Sequence, residues 1–152
     1  MTENIRVAAA LIVDNAGRLL LVRKRDTTVF MQPGGKYEPG ETGAQTLARE
    51  LHEELGLDIS TDALEPLGTF IAPAANEAGM LVEAEVFRVT LPHHGPPSGR
   101  GAALAGADEH THPEPHPGAE IAEMRWVHPD EFDTLAVAPI VTEHMLDLLR
   151  SP

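Results

Sequence analysis

The order of apolar periodicities along the chain predicts an α/β fold. Two strand-like runs precede a glutamate-rich stretch of helical period, further strand-like runs come after it, and an amphipathic stretch closes the chain. With 152 residues, the chain reads as one domain spanning 1–152, long enough to bury a sizeable core.

Residues Ile5 to Asp14 include VAAALIV, an unbroken apolar run suited to a strand covered on both faces. Asn15-Ala16-Gly17 supplies turn chemistry, and Arg18 to Arg25 (RLLLVRKR) returns as a second strand, so a hairpin is expected. Alternation puts Arg23 and Arg25 on one face and Lys24 on the other. Two cations on one side could hold a substrate phosphate or simply mark an exposed strand end. Asp26 to Gln32 is a connection in which Phe30 is a candidate to stack on a base, the alternative being a plug onto the core.

Gly34-Gly35 and Pro39-Gly40 then suggest a tight loop whose carbonyls can turn toward the acidic face of a helix. That helix has Thr42 as N-cap and stops at Gly56. On it, Ala44, Leu47, Ala48, Leu51 and Leu55 form an apolar stripe, while Glu50, Glu53 and Glu54 share the other face. Carboxylates this close repel one another unless a cation joins them, and oxygen donors of this kind suit a hard divalent ion, foremost Mg2+. A merely solvated acidic face is the plainer reading of the glutamates taken alone.

Leu57 to Leu64 is a short connection. Leu67 to Ala72 and Met80 to Leu91 read as strands joined by the loop 73–79, a second candidate for substrate contact. In the later strand Glu83 and Glu85 alternate with apolar residues, and they either border a pocket or face water. Residues 92–118 hold six prolines, five glycines and five histidines and almost no large apolar side chain, which predicts a long surface loop. Its His93, His94, His110, His112 and His116 invite a metal reading, but without helix or strand spacing polar composition is the favoured one. Glu120 to Val127 resumes as a strand, His128 to Phe132 begins a short helix with an early proline, and Ala138 to Arg150 has amphipathic helical spacing.

One stretch is far more specific than composition. Gly35, five residues, Glu41, seven residues, then Arg49-Glu50-Leu51-x-Glu53-Glu54-x-Gly56-Leu57 resembles the signature of the Nudix hydrolases, with every fixed position filled. The resemblance implies an α/β/α sandwich around a mixed sheet. It implies that Glu50, Glu53, Glu54 and the Gly34 carbonyl bind Mg2+ or Mn2+, and that Arg49 and Glu41 brace the loop and orient the catalytic carboxylate. Family members draw the general base from the box or from a later loop. Glu120, six residues before Trp126, is similar to that later glutamate, and Glu50, Glu83 and Glu85 are the competitors. The Gly-Gly-Lys opening is similar to members that hydrolyse nucleoside triphosphates, intact or oxidised, to monophosphate and diphosphate, with Lys36 meeting a phosphate. Pro73, sixteen residues beyond Leu57, is instead similar to ADP-ribose and nucleotide-sugar enzymes. Many members are homodimers, although no segment here marks an interface.

Composition narrows the partners. A net charge of −13 opposes binding of a nucleic-acid polymer or an anionic membrane surface. It admits a small-molecule nucleotide diphosphate if metal ions bridge carboxylate and phosphate. With no cysteine, thiol chemistry and a thiolate metal site are excluded, as is the cysteine-dependent isoprenoid diphosphate isomerase built on the same scaffold. No apolar run has the length of a membrane span and the first residues do not read as a signal peptide, so a cytoplasmic location is expected. A nucleotide-sensing module without turnover is the alternative of another class; such modules can lose box glutamates, and this chain keeps them.

Overall fold

The computed structural model describes residues 4–75, 77–91, 115, 117–118 and 120–150. Most of the loop at 92–118, with its five histidines, lies outside the described residues. The elements in order are β1 (Asn4–Ile12), β2 (Leu19–Lys24), β3 (Gly34–Lys36), α1 (Gly43–Leu55), β4 (Glu65–Pro73), β5 (Leu81–Val89), β6 (Ile121–Val127) and α2 (Leu146–Arg150). Short 3-10 turns stand at Thr61–Ala63 and Pro129–Thr134, and a π-helical turn, Val141–Met145, leads into α2.

A four-stranded mixed sheet has the order β3-β1-β5-β4, with β1 and β5 parallel and the outer pairs antiparallel; β2 and β6 form a separate antiparallel pair. Alternate residues of the strands feed two cores. Ala8, Ala10, Ile12, Leu20, Val22, Phe87 and Val89 pack with Leu47, Leu51 and Leu55 of α1. On the opposite face Ala9, Leu11, Leu19, Leu21, Ala84 and Val86 pack with Ile140, Val141 and Met145 of the closing helical segment. This is the expected sandwich, and it arises from the period of two along strands buried on both sides.

The helix that carries the acidic face is terminated as its sequence predicts. The Thr42 side chain accepts from the Gln45 N–H while the Gln45 side chain accepts from the Thr42 N–H, and Gly56 ends the helix at φ 67°.

Two local expectations are corrected. β1 and β2 are not a hairpin: the turn at residues 14–18 forms, with Asp14 Oδ1 accepting from the Ala16 and Arg18 N–H groups, but among the described residues the bridge Val13 to Leu19 is not continued into a ladder. Both edges of β1 are already taken, by β3 and β5, so β2 finds its ladder with β6. Residues 34–36 are likewise strand rather than loop. Gly34 pairs with Ala9 at φ 138°, where a side chain would collide with the Ala8 carbonyl. No described helix is long and apolar enough to cross a membrane.

Candidate metal and phosphate site

Gly34 and Gly35 bring β3 against the acidic face of α1. A Cβ on Gly35 would overlap the Glu50 carboxylate, and the Gly34 N–H donates to Glu54 Oε1 at 3.0 Å. That N–H is the contact Gly34 makes with the glutamates, so strand pairing and site assembly share the same two residues.

Glu50, His52, Glu53, Glu54 and Glu120 line one open depression of about 510 Å3. Glu54 is buried, 4% exposed. Burial is the main reason its pKa is pushed up to about 7; the Gly34 N–H and Lys24 oppose the shift, and the charges of Glu50 and Glu120 add to it. Glu50 is also raised by burial, with Arg49 and Lys24 opposing and Glu53 and Glu120 adding. Glu53 is the outermost of the three, its Oε2 3.1 Å from Arg49 Nη1.

Arg49 is the brace. Its Nε and Nη2 donate to the two Glu41 oxygens at 2.8 and 3.0 Å, and Nη2 also donates to the Lys36 carbonyl at 3.1 Å. Glu41 further accepts from the Glu38 N–H and the Thr46 hydroxyl, and these bonds, the Arg49 fork first, hold its carboxyl down at about 2. The loop from Lys36 to Glu41 is thereby tied to the second turn of α1.

Glu120 reaches the depression because its segment is pinned at both ends of a turn. Gly118 N–H donates to the Glu54 carbonyl at 2.6 Å, Ile121 N–H to the Gly118 carbonyl, and Arg25 N–H to the Glu120 carbonyl. The competing carboxylates lie elsewhere. Glu85 accepts a short hydrogen bond from the Tyr37 hydroxyl beside Gly43, and Glu83 pairs with Arg6 at 3.4 Å.

The residues expected to bind substrate stand in different settings. Phe30 is a core residue, 5% exposed, with the Arg125 guanidinium 5.0 Å from its ring centroid, so it is not presented for base stacking. Arg23 and Arg25 are not both on β2. The β2–β6 register shifts between Arg23 and Lys24, and Arg25 lies in the turn beyond the strand. Arg23 is spent on the Thr27 carbonyl at 2.8 Å and on Glu123 at 3.6 Å. Lys24, on the side of β2 that carries Leu20 and Val22, is a cation felt by both Glu50 and Glu54. Strand alternation already separated it from the arginines; what was missing was the face that α1 would cover. Lys36 is exposed beside the Arg49 brace.

The donor set is chemically suited to a hard divalent ion: oxygens only, with Glu50 and Glu54 desolvated and too few positive charges beside them. Among the described residues no three acidic or histidine side chains converge as a ready-made cage. Glu53 would have to exchange Arg49 for a cation.

A family model for the NUDIX domain matches residues 3–149. An 8-oxo-dGTP diphosphatase of Haemophilus influenzae is 42% identical over 57 residues, which cover 35% of this chain and 42% of that protein. A Bacillus subtilis protein named as a candidate 8-oxo-dGTP diphosphatase is 26% identical over 130 residues, 86% of this chain and 70% of that protein. The crystal structure of a MutT protein from Methanosarcina mazei superimposes with a TM-score of 0.65 at 21% identity, covering 98% of this chain and 94% of that one.

Proposed function

The chain belongs to the NUDIX domain family, and from that premise we propose that it is a metal-dependent pyrophosphohydrolase. Its substrate is a nucleoside diphosphate linked to a further group, foremost an intact or oxidised nucleoside triphosphate cleaved to monophosphate and diphosphate. The observation that carries this reading is the depression in which desolvated Glu50 and Glu54 share space with Glu53 and Glu120. Four carboxylates, offset in part by Lys24 and Arg49, form a site that gains from a cation and from the polyphosphate a cation brings.

Glu50, Glu53 and Glu54, with the Gly34 carbonyl, would hold Mg2+ or Mn2+, which when bound supplies positive charge to the phosphate oxygens. Glu120 and Glu50 are the groups able to accept the proton of an attacking water, since Glu83 and Glu85 are committed to Arg6 and Tyr37. Arg49 and Glu41 keep the loop and the helix in register. Lys36 and Lys24 are the cations we assign to the substrate phosphates.

The triphosphate reading is supported by the relatives named as 8-oxo-dGTP diphosphatases and by the Gly-Gly-Lys opening at Gly34 to Lys36. Pro73, the last residue of β4, favours ADP-ribose or nucleotide sugars as the second reading. The reading also includes a cytoplasmic location and a homodimer, the latter testable by sedimentation. A phosphate-release screen with Mg2+ and Mn2+ over canonical and oxidised triphosphates, ADP-ribose, nucleotide sugars and dinucleoside polyphosphates tests the activity. The highest kcat/KM is expected on a triphosphate. Tight nucleotide binding with no turnover of any substrate would replace the enzyme by a nucleotide-sensing module.

A further inference from the structure

We propose that the molecule carries a second small-molecule site, for an oxyanion with an apolar body, on the face of the sheet opposite α1. The site is the cavity of about 240 Å3 at the carboxyl ends of the parallel strands β1 and β5, where Leu11, Val13, Arg88 and Thr90 meet Leu149 of α2. Crevices beyond the carboxyl ends of parallel strands are recurrent ligand sites because strand ends leave polar groups beside apolar walls. Leu11 belongs to the core opposite α1, so the sheet separates this cavity from the glutamate depression.

Arg88 is what calls for a ligand. Its Nε is buried and has no hydrogen-bond partner, and among the described residues no carboxylate pairs with the guanidinium. In a chain with 24 acidic and 11 basic residues that is unexpected. Two acids stand close enough in the fold to have served. Asp14 lines the same cavity, but it is saturated by the Ala16 and Arg18 N–H groups and by the Arg18 guanidinium at 2.7 Å. Glu65 is the cross-strand neighbour of Arg88 and makes no ion pair with it.

A guanidinium that lines a cavity without a carboxylate partner leaves donors to offer an acceptor that enters it. The planar fork of a guanidinium matches carboxylate or phosphate oxygens, and the Thr90 hydroxyl can add a bond. Leu11, Val13 and Leu149 would cover the rest of the ligand. The glutamate depression has the opposite charge and takes cations, so the two sites differ in ligand class.

The test is thermal denaturation of the metal-free protein titrated with inorganic phosphate in one arm and butyrate in the other, against chloride at equal ionic strength. A saturable rise in Tm with either probe, absent in Arg88→Leu while phosphate release from triphosphates is unchanged, is the expected result; the responding arm identifies the headgroup. No response beyond chloride, or an equal response in Arg88→Leu, overturns the site. Should Arg88→Leu fail to fold, Arg88→Lys and Thr90→Val take its place. Binding weakened by about tenfold in Arg88→Lys supports the fork, and wild-type binding in both variants overturns it.

Discussion

Gly118 donates its backbone N–H to the carbonyl oxygen of Glu54 at 2.6 Å, and a Cβ on Gly118 would collide with the carbonyl of Glu53. The segment that delivers Glu120 is thus fastened to the backbone of the two glutamates it must face. Gly118→Ala would force that segment off the end of α1. Contacts of this kind cost about 1–3 kcal/mol when overpacked, which for a chain of this size corresponds to a fall in Tm of several degrees. We expect kcat to fall while KM changes little, because Glu120 is displaced and the lysines proposed to meet phosphate are not. Unchanged melting together with unchanged kcat would refute the fastening.

Glu120 and Glu53 should differ in what their loss costs. Glu53→Gln removes a carboxylate proposed to bind metal and should lower kcat by several orders of magnitude. Glu120→Gln should lower it by about 10²–10⁴-fold if that group takes the water's proton. Near wild-type turnover in Glu120→Gln would transfer the base to Glu50. Steady-state rates at saturating Mg2+ separate these outcomes.

Glu54 is expected to make stability fall as pH rises. Its folded-state pKa of about 7 lies above the usual 4.5 because the charged form is buried, so between those values the folded protein binds more protons than the unfolded chain. Stability from this group is therefore full below about 4.5 and lost as pH rises through 7, by at most roughly 3 kcal/mol. Glu41 acts in the other direction: held at about 2 by Arg49, it contributes stability above 4.5 that is lost as pH falls toward 2. In chelator, Tm should rise as pH is lowered from 8 to 6. Glu54→Gln should be more stable than wild type at pH 8, with the slope flattened and activity abolished. A steep slope that survives in Glu54→Gln would assign the titration to another group.

Arg49→Lys tests the brace. Lysine keeps the charge but cannot span both Glu41 oxygens and the Lys36 carbonyl, which Arg49 reaches at 2.8, 3.0 and 3.1 Å. Loss of such supporting bonds costs about 10–100-fold in metal affinity or activity. The Mg2+ concentration for half-maximal rate should rise accordingly, and an unchanged value would make the fork a surface ion pair only.

Features that depend on neighbours in sequence are readable from the chain alone. Thr42, Gln45 and Gly56 define the helix by local hydrogen bonds and a left-handed stop, and the spacing of Glu50, Glu53 and Glu54 defines its acidic face. What depends on distant partners is not. The Asn15-Ala16-Gly17 turn is real, yet whether β1 and β2 then pair is decided by β3 and β5 occupying both edges of β1. Phe30 could serve a base or the core equally well by its sequence neighbours; Val137 and Arg125, more than 90 residues away, decide for the core.

Lys24 is the sharpest case of this kind and leads to the last prediction. Arg23 donates to the Thr27 carbonyl and pairs with Glu123, while the charge of Lys24, next in the strand and on its other face, is felt by Glu50 and Glu54. Without metal, Lys24 relieves part of the repulsion among the carboxylates; with a polyphosphate present, the same ammonium can meet an oxygen. Lys24→Met should therefore lower the Tm of the metal-free protein at pH 8 and shift its pH profile upward, because Glu54 loses a stabilising charge and protonates more readily. In the presence of Mg2+, KM for a triphosphate should rise about three- to tenfold, the loss of one solvent-accessible charged contact. Arg23→Met should leave KM within about twofold, because its guanidinium already serves the loop. If Arg23→Met raised KM more than Lys24→Met, the phosphate-facing cation would be the arginine, and the orientation of β2 at the site would have to change on binding.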